Sequence, residues 1–277
     1  MVMIKTRLIA LFLFISAFAV NAQEYEWSSS RMDASRTGCV PAGDDLNKAM
    51  GRFLEDGTYL APNGKEYGAG STVAAVASLV HEAQPKMARV KKVIAQSDEE
   101  MRLRGRECPL SNWCVNIVMD KVSALSGNKV DVGICNFGGI RMDMPAGDVI
   151  LDDILSMFPF KNTIVYMEHK GSELRKIFEK MAATRFQIVG GVEIEAVNGK
   201  LAKALIGGEP IDDNKTYRVA TISFLLYGGD NLTLAENAQN MTVYDVLIVD
   251  AVLEYLEKLK AEGKKITPPA VTYVTVK

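Results

Sequence analysis

A largely apolar run, Val130 to Cys135, stops at Asn136, and two glycines and an arginine follow within five residues, in NFGGIR. A short apolar run bounded by turn residues reads as a buried strand. The chain must therefore leave a sheet here and turn at once. Gly138 and Gly139 carry no Cβ, so the backbone can bend sharply or let another group approach closely. Arg141 offers a planar fork of donors that matches carboxylate or phosphate. Asn136 offers an acceptor and two donors. From these residues alone the loop is either the floor of a polar pocket or a glycine-rich turn with a solvated arginine.

The rest of the chain mixes helix and strand periods without strict alternation. Turn residues crowd positions 23–70, with one short helix expected over Asp45 to Leu54. Ser71 is placed to cap a helix whose Val73, Val76, Ala77, Val80 and Ala83 share a face, until Pro85 ends or kinks it. A strand is expected over Val90 to Gln96. In the following SDEEMRLRGREC, Arg102, Arg104 and Arg106 alternate. In an extended segment they line one groove suited to an anion; the other reading is a charged edge balanced by Asp98, Glu99, Glu100 and Glu107. Ser111 caps a helix with Trp113, Ile117, Val118 and Val122 inward. A short helix spans Ile150 to Met157, a strand Thr163 to Glu168, and a helix reaches Met181. His169, between the last two, reads as a surface residue. Strands at 187–189, 192–197 and 201–206 follow, the last two joined at Asn198-Gly199 as a hairpin. After a turn at Pro210-Ile211-Asp212 come a strand from Tyr217 to Ile222, a second glycine loop at Tyr227-Gly228-Gly229-Asp230, a helix over Val243 to Lys260 and a strand over Val271 to Val276. This order implies an α+β fold, a mixed α/β sheet with flanking helices.

Lys5 and Arg7, the apolar run Leu8 to Val20 and the small residues before Gln23 mark residues 1–22 as a secretory signal peptide. Its removal takes the basic residues from 32 to 30 against 34 acids, a formal charge of about −4, which argues against a nucleic-acid polymer as partner. No later run reaches membrane-spanning length, so a periplasmic or extracellular location is expected. Cys39, Cys108, Cys114 and Cys135 allow three full pairings. A Cys108–Cys114 staple and buried free thiols are both open. The spacings do not make a zinc site.

The order N-x-G-G-I-R, P-F-x-N, P-I-D and G-G-D resembles the C-terminal, substrate-binding domain of the secreted 5'-nucleotidase and UDP-sugar hydrolase family. The resemblance covers roughly residues 88–277, with 71–84 as the helix that precedes the domain and 23–87 as a loop-rich arm plus that helix. It implies a nucleobase clamped between two phenylalanines, matching Phe160 and Phe224, since stacking on an aromatic face suits any base. It further implies that Asn136, Gly138, Gly139 and Arg141 contact substrate, that Asp230 beside Gly229 meets ribose hydroxyls, and that Arg104, ahead of Arg106, helps hold the nucleotide. Phe137 stands where the family often has glycine and is expected to narrow the pocket. Asn231-Leu232 replaces a glycine and an aromatic residue and is expected to alter the turn at Asp230.

In that family a metallophosphatase domain holds two catalytic metal ions on histidines and carboxylates. This chain has two histidines, His81 and His169, and neither lies in a D-x-H, G-N-H or H-x-H element. The expectation is a chain with no catalytic residue and no cofactor of its own. It would be the nucleotide-binding half of a phosphohydrolase, with the divalent metals on a separate metallophosphatase. The alternatives are a stand-alone nucleoside- or nucleotide-binding exported protein and an interaction module that has lost the pocket.

Overall fold

The computed structural model describes residues 50–105 and 107–277. The expected leader, most of the arm, Cys39 and Arg106 lie outside them. The chain divides into two compact units, one ending at Ala83 and one running from Gln84 to Lys277.

In the first unit, strands β1 (Arg52–Phe53), β2 (Tyr59–Leu60) and β3 (Glu66–Tyr67) form a small antiparallel sheet. Of the helix expected over Asp45 to Leu54, residues 45–49 lie outside the described residues and Met50 is helical, while Arg52–Phe53 pairs as a strand with Tyr59 and Leu60. Helix α1 (Thr72–Met87) starts where Ser71 Oγ accepts the Ala74 amide at 3.2 Å. It runs two residues beyond Pro85. Ala74 and Ala77 are its buried residues, packed with Tyr59, while Val73, Val76 and Val80 stay exposed. The small residues face inward because the miniature sheet leaves little depth for larger ones.

The second unit contains, in chain order, β4 (Val93–Ser97), α2 (Pro109–Ser126), β5 (Val132–Cys135), β6 (Gly147–Ile150), α3 (Leu151–Met157), β7 (Thr163–Lys170), α4 (Gly171–Ala183), β8 (Ile188–Gly190), β9 (Val192–Val197), β10 (Lys200–Ile206), β11 (Glu209–Pro210), β12 (Thr216–Ile222), β13 (Gln239–Leu247), α5 (Ile248–Ala261) and β14 (Val274–Val276). A five-stranded mixed sheet runs β13-β7-β12-β5-β8, and a four-stranded one β11-β10-β9-β14. In the first, β12 is antiparallel to β7 over seven residue pairs and parallel to β5 through Val219 and Val132. The fold is the expected mixed α/β type. The Asn198-Gly199 hairpin forms, both residues at positive φ.

Helix α2 lies on the five-stranded sheet at glycines. A Cβ at Gly133 would sit 2.6 Å from Val115 Cγ2, and one at Gly190 would sit 2.8 Å from Val115 Cγ1. Neither glycine needs a positive φ; each is there because the helix leaves no room for a side chain. The helix begins earlier than Ser111 suggested. Cys108 is its N-cap, Pro109 its first residue, and Ser111 Oγ reaches back to accept the Cys108 amide at 3.0 Å. Cys108, Cys114 and Cys135 are buried free thiols, and the Cys108 thiol donates to Ser111 Oγ at 3.6 Å, so no Cys108–Cys114 staple forms.

Three expectations fail for tertiary reasons. The stretch Val243 to Leu247 belongs to β13 rather than to the last helix, because it pairs with β7 at Val165 and Thr163. That pairing breaks register twice. Glu107 does not balance the arginines; it accepts the amides of Tyr273 and Val274 and the Asn112 side chain, holding the C-terminal segment. His169 is fully buried. Its Nε2 faces the Leu234 carbonyl at 2.9 Å, so Nε2 carries the proton and donates. Nδ1 is buried without a partner.

Burial lowers the His169 pKa below its ordinary 6.5, although the Leu234 carbonyl and the Glu173 carboxylate act to raise it. The unfolded chain thus binds the proton more readily. The contribution of His169 is complete above about pH 6.5 and is lost as pH falls through the interval down to its folded pKa. Urea unfolding at pH 7.5 and 5.5 is expected to show lower stability at the acid end, and His169→Gln is expected to flatten that difference. For the helix contact, Gly133→Ala is expected to lower stability by about 1–3 kcal/mol through overpacking, read from the urea midpoint.

Candidate functional site

The parallel strands β5 and β12 end side by side, and β7 starts beside them. Extending the Val219–Val132 and Ile222–Ile164 pairings brings Asn136, Ser223 and Thr163 to one edge of the sheet. Each of these residues opens or closes a loop that holds a residue singled out from sequence. Thr163 donates its amide to Ser223 Oγ at 3.1 Å. This bond ties the segment after Phe160 to the turn that starts at Phe224. Ligands commonly lie outside the carboxyl ends of parallel strands, and this edge has that geometry at β5 and β12.

Asn136 has 5% of its surface exposed, and its Nδ2 donates to Asp230 Oδ2 at 2.9 Å. Two loops 94 residues apart thereby meet. The other polar atom of the amide, Oδ1, is buried without a partner. The glycines of the loop follow from this side chain. A Cβ at Gly139 would fall 2.6 Å from Asn136 Oδ1, and one at Gly138 would fall 3.3 Å from Nδ2. Their spacing serves the asparagine that folds over them, not an unusual backbone twist.

Phe160 and Phe224 are 47% and 45% exposed, a hydrophobic cost for rings on loops that the sheet holds in place. Phe160 lines a narrow apolar cavity with Cys114, Cys135, Asn136, Ile222 and Ile248. Phe224 rests on Gly229, where an added Cβ would meet the Phe224 carbonyl oxygen at 2.1 Å and its ring at 2.8 Å. Asp230 takes the left-handed conformation, φ 48 and ψ 34. A non-glycine residue there carries local strain, held by the amides of Asn231 and Leu232 bonding back to Gly228 and Gly229.

Arg141 is exposed, with its amide on the Met157 carbonyl at 2.9 Å. Arg104 is exposed on a segment that pairs antiparallel with the chain after Arg141 through Met101 and Met144. That register, continued, sets Arg104 opposite Arg141. Among the described residues neither guanidinium has an ion-pair partner, whereas Arg102 is held by Glu100 at 2.6 Å. The three-arginine groove is thus reduced at Arg102, and Arg106 lies outside the described residues.

Phe137 does not narrow the pocket. It is buried in the core, with its amide donated to Gln187 Oε1 at 3.2 Å. Leu232, in place of the family's aromatic residue, is buried as well. Gln187, Ser223 and His169 support the site and were missed from sequence. Each acts through a contact distant in the chain, and no local pattern marks it. Among the described residues no group of three or more His, Cys, Asp or Glu is placed to hold a metal ion.

The family described as 5'-nucleotidase, C-terminal domain, matches residues 86–237. Protein UshA of Yersinia enterocolitica serotype O:8 is 31% identical over 165 residues, which are 58% of this chain and 29% of the relative. Protein UshA of Escherichia coli K12 is 30% identical over 133 residues, 46% of this chain and 24% of the relative. The chain thus spans less than a third of the length of these curated relatives. Among solved structures, a 5'-nucleotidase precursor from Thermus thermophilus superposes with a TM-score of 0.64 at 25% identity, covering 74% of this chain and 43% of that one. The Haemophilus influenzae NAD nucleotidase shares the fold, with a TM-score of 0.56 at 16% identity, over 79% of this chain and 47% of that one.

Gly229→Ala is expected to displace the Phe224 ring and to cost about 1–3 kcal/mol by overpacking. The urea midpoint and the ring proton shifts of Phe224 in NMR spectra check both effects.

Proposed function

This chain belongs to the 5'-nucleotidase C-terminal domain family, and on that premise we propose that it is the nucleotide-recognising half of a 5'-nucleotidase-type phosphohydrolase. Its partner in nucleotide breakdown is a metallophosphatase on a separate chain. The observation that carries the reading is the meeting, at one sheet edge, of two exposed phenylalanines with the hydrogen-bonded pair Asn136 and Asp230. In this reading the base stacks between Phe160 and Phe224, which excludes water from both ring faces. Asn136 holds Asp230 in place through Nδ2. Asp230, fixed through Oδ2, keeps Oδ1 for a ribose hydroxyl. Arg104 and Arg141 hold the phosphate, a charge that guanidinium forks bind well.

The described residues do not fit a two-metal centre. Beyond the lack of a ligand group, His169 is buried with Nε2 committed to the Leu234 carbonyl. No hydrolytic step is therefore assigned to this chain's side chains. Their work is to bind and orient. The export implied by residues 1–22 would place the pair in the periplasm or outside the cell.

Calorimetry with AMP, adenosine and UDP-glucose tests recognition. Stacking contributes about 1–3 kcal/mol per base, so Phe160→Ala and Phe224→Ala are each expected to weaken binding by roughly 5- to 150-fold. No binding by the intact chain would overturn the nucleotide reading in favour of an interaction module. Phosphate release only after mixing with a metallophosphatase chain supports the paired enzyme. Tight binding with no effect of any such chain on turnover would make the protein a stand-alone nucleotide binder.

A further inference from the structure

We propose that Cys114 and Cys135 are a disulfide-forming pair that ties helix α2 to the end of strand β5, directly behind Asn136. Side chains alternate along a strand, so Cys135 points the same way as Gly133. That face looks at α2 from unusually close range, since a Cβ on Gly133 would lie 2.6 Å from Val115 Cγ2. Cys114 is the neighbour of Val115 on the helix. Both cysteines are 1% exposed, and both line the same narrow cavity as Asn136 and Phe160. The Cys135 thiol lies near enough to Cys114 to act on its proton affinity. The missing side chain at Gly133 is thus what brings the helix so near the strand that a cysteine from each lines one cavity. Cys108 is not a competitor, because its thiol is engaged with Ser111 at the start of the helix.

The neighbouring Cys135 thiol and burial both push the Cys114 thiol well above its ordinary pKa. A folded dithiol of this kind is a slow nucleophile, so the crosslink is made while the chain folds. The oxidant is a small-molecule or protein disulfide of an oxidising compartment. The thiolate of one cysteine attacks that disulfide and releases one thiol. The second cysteine, losing its proton to solvent, attacks the mixed disulfide and releases the other. Two electrons pass to the oxidant, and the S–S bond between positions 114 and 135 forms. The crosslink fixes the end of β5 against the helix and so holds the backbone from which Asn136 reaches Asp230.

The test refolds the full chain in a mixture of oxidised and reduced glutathione. It is then alkylated in denaturant, with and without prior reduction, and its peptides are mapped by mass. The expected product joins the peptides of Cys114 and Cys135, both alkylated only after reduction. Reduction is expected to lower the Tm by about 6–12 °C, and Cys135→Ser to remove that response. Alkylation of both cysteines without reduction would overturn the proposal, as would a crosslink of Cys114 to Cys39 or Cys108. The mapping on the unmodified sequence stands even if Cys135→Ser does not fold, and none of these readouts depends on nucleotide binding.

Discussion

The contact between helix α2 and the glycines of the five-stranded sheet governs the rest of the second unit. Gly133 and Gly190 sit on adjacent strands and face the same helix residue, Val115. With side chains there, the helix would stand off, and Val115 and Met119, which lie against the glycines, would lose their contacts with the sheet. Burial of such side chains contributes about 1.5–3 kcal/mol each. The glycines cost backbone entropy when the strand forms, and close packing of the helix offsets it. The position of β5 follows, and the loop at its end inherits that position.

The site is built from bonds between distant segments. Thr221 Oγ1 donates to the Ile134 carbonyl at 2.8 Å, locking β12 to β5 one step before both strands end. Ser223 receives the amide of Thr163, Asp230 receives the Asn136 side chain, and the Leu234 carbonyl receives His169. The loop that displays Phe224 and Asp230 is thus fastened at its start, middle and end. A loop held at three points loses little further freedom when it takes a ligand, which is the physical content of preorganisation.

Much of this was legible in the sequence, and for identifiable reasons. The strand Val132–Cys135, the hairpin at Asn198-Gly199 and the helix that ends near Met181 carry local signals of apolar period and turn chemistry. The glycine loop and the G-G-D loop, singled out from sequence, are joined by the Asn136–Asp230 bond. The failures are all non-local. Val243 to Leu247 has enough apolar residues for a helix, but pairing with β7 decides otherwise. His169 looked solvated because nothing in its neighbours shows that the Leu234 carbonyl would cover it. For Gly138 and Gly139 a sharp bend and a close approach were both open, and the structure shows the close approach, by the Asn136 amide.

Strand β13 forms one outer edge of the five-stranded sheet, with Met241 and Val243 exposed. An exposed apolar edge invites a neighbouring molecule to add a strand of its own. Here the two breaks in register with β7, and the left-handed turn at Asn240, bend the ribbon and disrupt its row of outward amides and carbonyls. A kinked border is a poor template for intermolecular pairing. The irregularity of this border thus works against edge-to-edge pairing between copies of the chain.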